Sequence, residues 1–155
     1  MKISAQDEYG LRILLRIARA DQSVGLSLPQ LCEAEGLSSA YMAKITRALR
    51  LGGFIQSTRG HKGGYVLDEA PSEIKIGEVL RSLGGALFDD DFCNSHKGGL
   101  NLCTNSVDCS VRSLWRIIQL NIDQVLEKIT LEDLIGDESA TQSHLEHKID
   151  FVPTI

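Results

Sequence analysis

Glycine punctuation divides residues 27–67 into three short pieces, and this restricts the fold more than any other feature of the chain. Ser27 is followed three residues later by Gln30, the spacing of a capping box, which opens a helix through Leu28, Leu31 and Ala34 that Gly36 stops. Ser38 or Ser39 caps a second helix. Tyr41, Met42, Ile45 and Leu49 mark its buried side, and Lys44, Arg47 and Arg50 remain for the outside. Gly52 and Gly53 end that pattern. The run FIQSTRGHKGGYVL that follows consists of two β-prone stretches around a glycine-rich turn with basic residues at its tip, a β-hairpin. Phe54, Ile55, Val66 and Leu67 can pack inward, while Gly60, Gly63 and Gly64 allow positive φ and close backbone approach. Two short helices around a glycine break, followed by such a hairpin, read as a helix-turn-helix with a wing. The predicted fold class is mainly α with a small β wing (α+β).

The flanking segments extend this unit. From Asp7 to Ala20, Ile13, Leu14, Ile17 and Ala18 form an apolar stripe, with Arg12, Arg16 and Arg19 on another face. A further helix is expected near Ile76–Leu83, ending at Gly84 and Gly85. Residues 86–110 have no convincing period. From Val111 the spacing of Val111, Trp115, Ile118, Ile122, Val125 and Ile129 alternates between four and three, a heptad-like seam, with Leu114, Ile117 and Leu126 as a second stripe. That is more apolar surface than a small winged helix can cover, so the seam predicts a homodimer. Thr130 and Asp133 resemble the cap of one more helical turn, and the polar stretch from Gly136 to Ile155 is expected to be disordered. The expected organisation is thus a DNA-binding domain over 1–85, a cysteine loop over 86–110, a dimerisation helix with a short terminal helix over 111–135, and a disordered tail over 136–155.

The net charge of −5 hides an asymmetry. Residues 1–67 carry nine Lys and Arg against five Asp and Glu, a net of +4, which leaves −9 for residues 68–155. A basic front half permits phosphate contacts that the whole-chain charge would discourage. No stretch has signal-peptide character or the length of a membrane span, so a cytoplasmic protein with no membrane partner is expected. No nucleophile–base pair, phosphate loop or substrate-sized motif is present, so neither an enzyme nor a small-molecule substrate is expected.

In a winged helix the second helix of the helix-turn-helix enters the major groove of double-stranded DNA, and the wing holds phosphates or reaches the minor groove. The exposed early positions are Ser39, Ala40, Ala43 and Lys44, with Arg47 one turn on. Ser39, Lys44 and Arg47 are the candidate readers of an operator, with Tyr41 beside them. Arg59, Gly60, His61 and Lys62 form the candidate wing contact, Arg59 foremost.

Four cysteines in a chain of this kind read as metal or redox chemistry rather than disulfides. Cys32 lies on the packing side of its helix beside Leu31 and reads as a small buried hydrophobe. Cys93, Cys103 and Cys109 stand apart, spaced C-x9-C-x5-C in the structureless segment, which Gly98 and Gly99 make pliable. Three thiolates supply three quarters of a four-ligand site for zinc or an iron–sulfur cluster, and equally could act as bare redox thiols. His96 and Asp108 are local candidates for a fourth ligand.

From Met1 to about residue 135 the chain resembles the IscR, NsrR and RirA group of bacterial regulators, the Rrf-two family. The resemblance is carried by MKIS with EYGLRILLRIA, by GLSSAYMAKITRALRLGGFIQSTRGHKGGYVL, by IKIGEVL, by the three loop cysteines, and by LWR followed by ITLEDLI. RG-x-x-GGY is the most specific of these. It implies a dimeric winged-helix transcription regulator with crossed long helices, whose iron–sulfur cluster senses cluster status, iron, nitric oxide or redox state. The histidine that completes a [2Fe–2S] site in the IscR type corresponds to Arg112 here. The first-helix carboxylate that completes a [4Fe–4S] site from the other subunit in the NsrR type corresponds to Glu8, with Asp7 next to it. The resemblance therefore points to Cys93, Cys103, Cys109 and Glu8 as ligands, and to [4Fe–4S] over [2Fe–2S]. An i, i+4 ion pair with Arg12 is the alternative role for Glu8. The acidic residue found in the IscR branch where Ala43 stands is missing, so that branch's DNA sequence preference does not carry over.

Overall fold

The computed structural model describes residues 3–58, 63–85, 88, 92–95, 99, 103, 105 and 107–149. Helix α1 (Ala5–Arg19) starts two residues before the sequence pattern suggests, because Ser4 and Asp7 close a capping box: Asp7 N–H donates to Ser4 Oγ, and Ser4 N–H donates to Asp7 Oδ2, both at 3.1 Å. Helix α2 (Leu28–Glu35) opens on the expected Ser27 and Gln30, with Pro29 in its first turn, and closes at Gly36 in the left-handed conformation, φ 65°. Ser38 caps α3 (Ser39–Leu51). The wing pairs β1 (Ile55–Ser57) with β2 (Tyr65–Leu67) antiparallel, Ile55 opposite Leu67 and Ser57 opposite Tyr65.

Gly64 owes its place to close approach. A Cβ on it would lie 2.8 Å from Leu26 N, where Leu26 and Tyr65 exchange backbone hydrogen bonds that tie the wing to the start of α2. Gly64 does not have positive φ, contrary to expectation; Gly60 lies outside the described residues.

Helix α4 (Ile76–Leu83) ends at Gly84, as its sequence predicts. The core joins Ile13, Leu14 and Ile17 of α1 to Leu31, to Met42, Ile45 and Leu49 of α3, to Ile55, and to Ile76, Val79 and Leu83. Burying each such side chain contributes about 1.5–3 kcal/mol.

Beyond α4 a one-turn helix, α5 (Phe92–Ser95), lies in the segment read as structureless. Helix α6 (Ser110–Leu126) follows and has no buried residue. It stops short of Ile129, which corrects the expected seam: Ile129 C=O accepts from Ile76 N–H at 3.0 Å, Leu131 N–H donates to Ile74 C=O at 2.9 Å, and this pairing turns Ile129 into the core. Ile118, Ile122 and Val125 are half-buried, while Val111, Leu114, Ile117 and Leu120 are exposed, with Trp115 at their edge.

The expected disordered tail is also corrected. Residues 138–148 form helix α7 (Glu138–Lys148), and residues 150–155 lie outside the described set. A helix of such low amphipathicity is held by tertiary contacts. Asp133, in a single 3-10 turn (Glu132–Leu134), has a side chain only 8% exposed; it accepts from Thr130 N–H at 2.7 Å, from His144 Nε2 at 2.8 Å and from Lys148 Nζ at 2.6 Å. Leu145 and Ile149 pack on the core, and Arg19 Nη2 donates to the carbonyls of Ile135 and Gly136 at 2.9 and 3.1 Å. Burial alone would raise the Asp133 pKa, but the contacts with Lys148, Thr130 and His144 outweigh it and hold the carboxyl well below the ordinary carboxylate range.

Because its folded pKa is depressed, the stability Asp133 supplies is complete above about pH 4 and is lost as the pH falls toward the folded value. We therefore predict that Asp133→Asn lowers the unfolding free energy at neutral pH by about 1–3 kcal/mol, and that the deficit shrinks below about pH 4. Urea titrations at several pH values measure both; equal stability of the two proteins at neutral pH would contradict the assignment.

Candidate nucleic-acid interface and cysteine segment

On α3 the side chains of Ser39, Ala40, Ala43, Lys44 and Arg47 are exposed along one face. Ser38 Oγ accepts from Tyr41 N–H at 3.3 Å and so fixes the first turn of that helix. The Tyr41 ring is half-buried, edge-on to Tyr9 of α1 with centroids 6.2 Å apart, so it joins α3 to α1 rather than standing out with those five. Ala40, Ala43, Lys44 and Arg47, with Gln6 of α1, line a shallow cavity of about 480 Å³. The face therefore offers two small apolar residues between a cation and a hydroxyl, which suits base edges and thymine methyl groups. The wing strands are in place beside it. Arg59, Gly60, His61 and Lys62 lie outside the described residues.

The arginine stripe of α1 serves a purpose that periodicity does not reveal. Glu35, at the end of α2, has a side chain 1% exposed; Arg16 Nε donates to one carboxylate oxygen, and Arg12 Nε lies 2.8 Å from the other as an ion pair without hydrogen-bond geometry. Arg16 Nη2 also donates to Ala34 C=O at 3.0 Å. Two half-exposed cations thus neutralise one buried anion and bind the first helix of the helix-turn-helix to α1. No local signal marks this, since the partners are distant in sequence. Arg12 also lies over the Tyr9 ring, 5.5 Å from its centroid.

Cys93, Cys103 and Cys109 are free thiols and half-buried. Cys93 follows Phe92, whose ring meets Phe88 at 5.2 Å. Phe88 N–H donates to Gln119 Oε1 at 3.0 Å, and Gln119 Nε2 donates to Asp123 at 3.0 Å, so the start of the cysteine segment is moored to α6. Cys109 is the N-cap of α6, its sulfur accepting from Arg112 N–H at 3.4 Å. The Arg112 guanidinium donates to Asn105 C=O at 3.0 Å. Among the described residues no group of three or more His, Cys, Asp or Glu side chains converges on one point; His96 lies outside them, and Asp108 is exposed. The donor chemistry fits a thiophilic metal or cluster, but the three sulfurs do not form a closed cage.

The two first-helix carboxylates differ. Asp7 is committed to Ser4, whereas Glu8 is exposed, with Arg12 Nη1 4.0 Å away, a contact worth tenths of a kcal/mol. Glu8 lines both a cavity of about 510 Å³ between α1, α4 and α6 and another between α1 and α7. Cys32 is half-buried against the core, its thiol 3.9 Å from Ser39 Oγ, in keeping with a packing role. Among the described residues no helix is long and apolar enough to cross a membrane.

Comparison with known proteins bears on this arrangement. Residues 3–137 match the model of the Rrf2 family, described as an iron-dependent transcriptional regulator. The chain is 29% identical over 150 residues to the HTH-type transcriptional regulator IscR of Aliivibrio salmonicida, covering 97% of this chain and 86% of that protein. A solved structure of IscR from T. potens is similar with a TM-score of 0.66 at 30% identity, over 87% of this chain and 86% of that one. CymR, described as the global cysteine regulator of B. subtilis, is similar with a TM-score of 0.68 at 30% identity, over 88% of this chain and 99% of that one.

The Glu35 cluster yields a direct test. Glu35→Ala should lower the unfolding free energy by about 1–3 kcal/mol, less than for a fully enclosed ion pair because Arg12 and Arg16 stay hydrated. Denaturant unfolding checks this, and a loss below about 0.5 kcal/mol would show that α1 and α2 do not depend on the buried charge.

Proposed function

The chain belongs to the Rrf2 family of transcriptional regulators, and from this we propose that it is a cytoplasmic homodimer that binds an operator through α3 and the wing and senses its signal at Cys93, Cys103 and Cys109. It is a regulator and not an enzyme; IscR and CymR, to which it is similar, are named as transcriptional regulators. The observation that carries the sensing assignment is the set of three free thiols confined to the one segment that joins the winged helix to α6.

An iron–sulfur cluster, bound by these sulfurs with Glu8 of the second subunit as the non-cysteine ligand, would supply a centre that responds to oxidants, nitric oxide or iron supply. [4Fe–4S] is favoured over [2Fe–2S] because Arg112 stands where a histidine ligand would be needed. Ligands that do not converge beforehand must be drawn together on binding, so occupancy would act on the chain's conformation. Two contacts carry such a change toward DNA. Arg12 lies between Glu8 and the buried Glu35 of α2, and Tyr9, the residue after Glu8, meets Tyr41 of α3. The moored side of the segment, through Phe88 and Gln119, leads to α6. Dimerisation through the exposed face of α6 would bury Val111, Leu114, Ile117 and Leu120, with Trp115 at the edge; each apolar side chain removed from water favours association.

A second reading keeps the operator binding and lets the same cysteines act by thiol oxidation or zinc binding. The three thiols, free and without a ready-made metal group among the described residues, are open to oxidation as they stand, which favours it.

Anaerobic reconstitution with iron and sulfide separates the two. The first reading predicts a coloured protein with bound iron and sulfide, colour lost in Cys103→Ser, and an altered visible spectrum in Glu8→Ala. A colourless protein carrying zinc or a disulfide would establish the second reading instead, and an unchanged Glu8→Ala spectrum would remove Glu8 from the ligands. Lys44→Ala and Arg47→Ala should each weaken binding to a duplex selected by the protein from random sequences, by about 1–3 kcal/mol if they read bases. Undiminished binding in both would move the interface elsewhere.

A further inference from the structure

Helix α7 borders a groove along α1 that shares Glu8 and Arg12 with the sensing scheme but is otherwise unused by it. Its volume is about 580 Å³, within the roughly 300–1,000 Å³ typical of small-molecule sites. The floor is apolar, with Leu11 and Leu15 of α1 facing Leu145 and Ile149. The rim carries Glu8, Glu138 and Glu146; among the described residues that line the groove, Arg12 is the sole cation, and it is drawn to the buried Glu35. Both walls are fixed independently of any occupant, α7 by Asp133 with His144 and Lys148, and the turn before α7 by Arg19. A preformed apolar trough under a surplus of carboxylates is complementary to a flat or aliphatic body that carries positive charge.

We propose that this groove binds a small amphipathic organic cation, its apolar body on the leucine floor and its charged group between Glu138 and Glu146. The assignment goes beyond the sensing role, and it concerns the side of α1 that meets α7, which shares Arg12 with the side that meets α2. The leucine floor supplies most of the driving force and the carboxylates supply selection by charge, so ligands of one shape and opposite charge should be told apart.

Rhodamine 6G and fluorescein share a xanthene core and differ in charge, which makes them suitable probes for fluorescence polarisation against the full-length chain. Saturable binding of rhodamine 6G is expected, with fluorescein at least about tenfold weaker. The double variant Glu138→Gln, Glu146→Gln should weaken rhodamine 6G about tenfold, two exposed charge contacts being lost. Gln142→Trp, at an exposed rim position, should block the groove and abolish binding without changing the thermal unfolding midpoint. No saturable binding, equal binding of fluorescein, or unaltered binding in both variants would overturn the proposal. So would binding seen only after dilution to monomer, since a second copy of the chain would then be the groove's occupant. The assay needs neither metal nor DNA, so its failure leaves the regulatory reading standing, and failed cluster assembly leaves this one standing.

Discussion

A single helix of 15 residues, α1, is the wall against which the rest of the molecule is built. One stripe of it, Ile13, Leu14 and Ile17, is fully buried against α3, α4 and the wing. The adjacent face grips α2 by placing Arg12 and Arg16 on the buried Glu35, and the last turn holds the turn before α7 through Arg19. Packing at crystal-like density gives such an element few intermediate positions, so a displacement at one end is felt by every neighbour. The cost of the buried carboxylate is offset by two guanidiniums that keep contact with water, an arrangement more forgiving than a sealed ion pair.

That placement gives a physical reason for a sensor ligand at the start of α1. Glu8 belongs to the helix that positions the reading face of α3 but is held only weakly by Arg12, whereas its neighbour Asp7 is spent on capping. A group that can leave its partner at small cost is the better ligand for a site that must fill and empty. The cysteines have the complementary character: Cys93 is moored through the Phe88 and Gln119 contacts, Cys109 caps α6, and the three sulfurs do not form a ready-made metal group. The proposed sensing therefore joins α1, which packs on the helix proposed to read DNA, to α6, whose exposed face is the proposed dimer contact.

What could be read in the sequence was local. The capping boxes, the glycine stops and the apolar stripes specify α1 to α4 and the wing because each signal acts within a few residues. What could not be read was tertiary. The seam seemed to run on to Ile129, yet backbone pairing with residues 74–76 takes that side chain into the core. The polar stretch after Gly136 gave no helical stripe, because α7 is kept by one buried aspartate and two apolar side chains rather than by an apolar face. Arginines spaced as a solvated basic face turn out to be partners of a carboxylate on another helix. The three cysteines were legible as a set, and their chemistry as thiophilic, but spacing carries no information on whether they meet. The wing-tip residues 59–62, central to the sequence argument, lie outside the described residues.

Under the proposed function, the state of the cysteine segment sets the affinity of the helix-turn-helix for DNA. The most direct measurement is a pair of anaerobic binding isotherms on one duplex, with the same protein before and after cluster removal by a chelator, and with Cys109→Ser alongside. Affinities that differ by at least about tenfold, equivalent to 1.4 kcal/mol, are expected, with the Cys109→Ser protein indifferent to the treatment. Isotherms that superimpose before and after removal would contradict it.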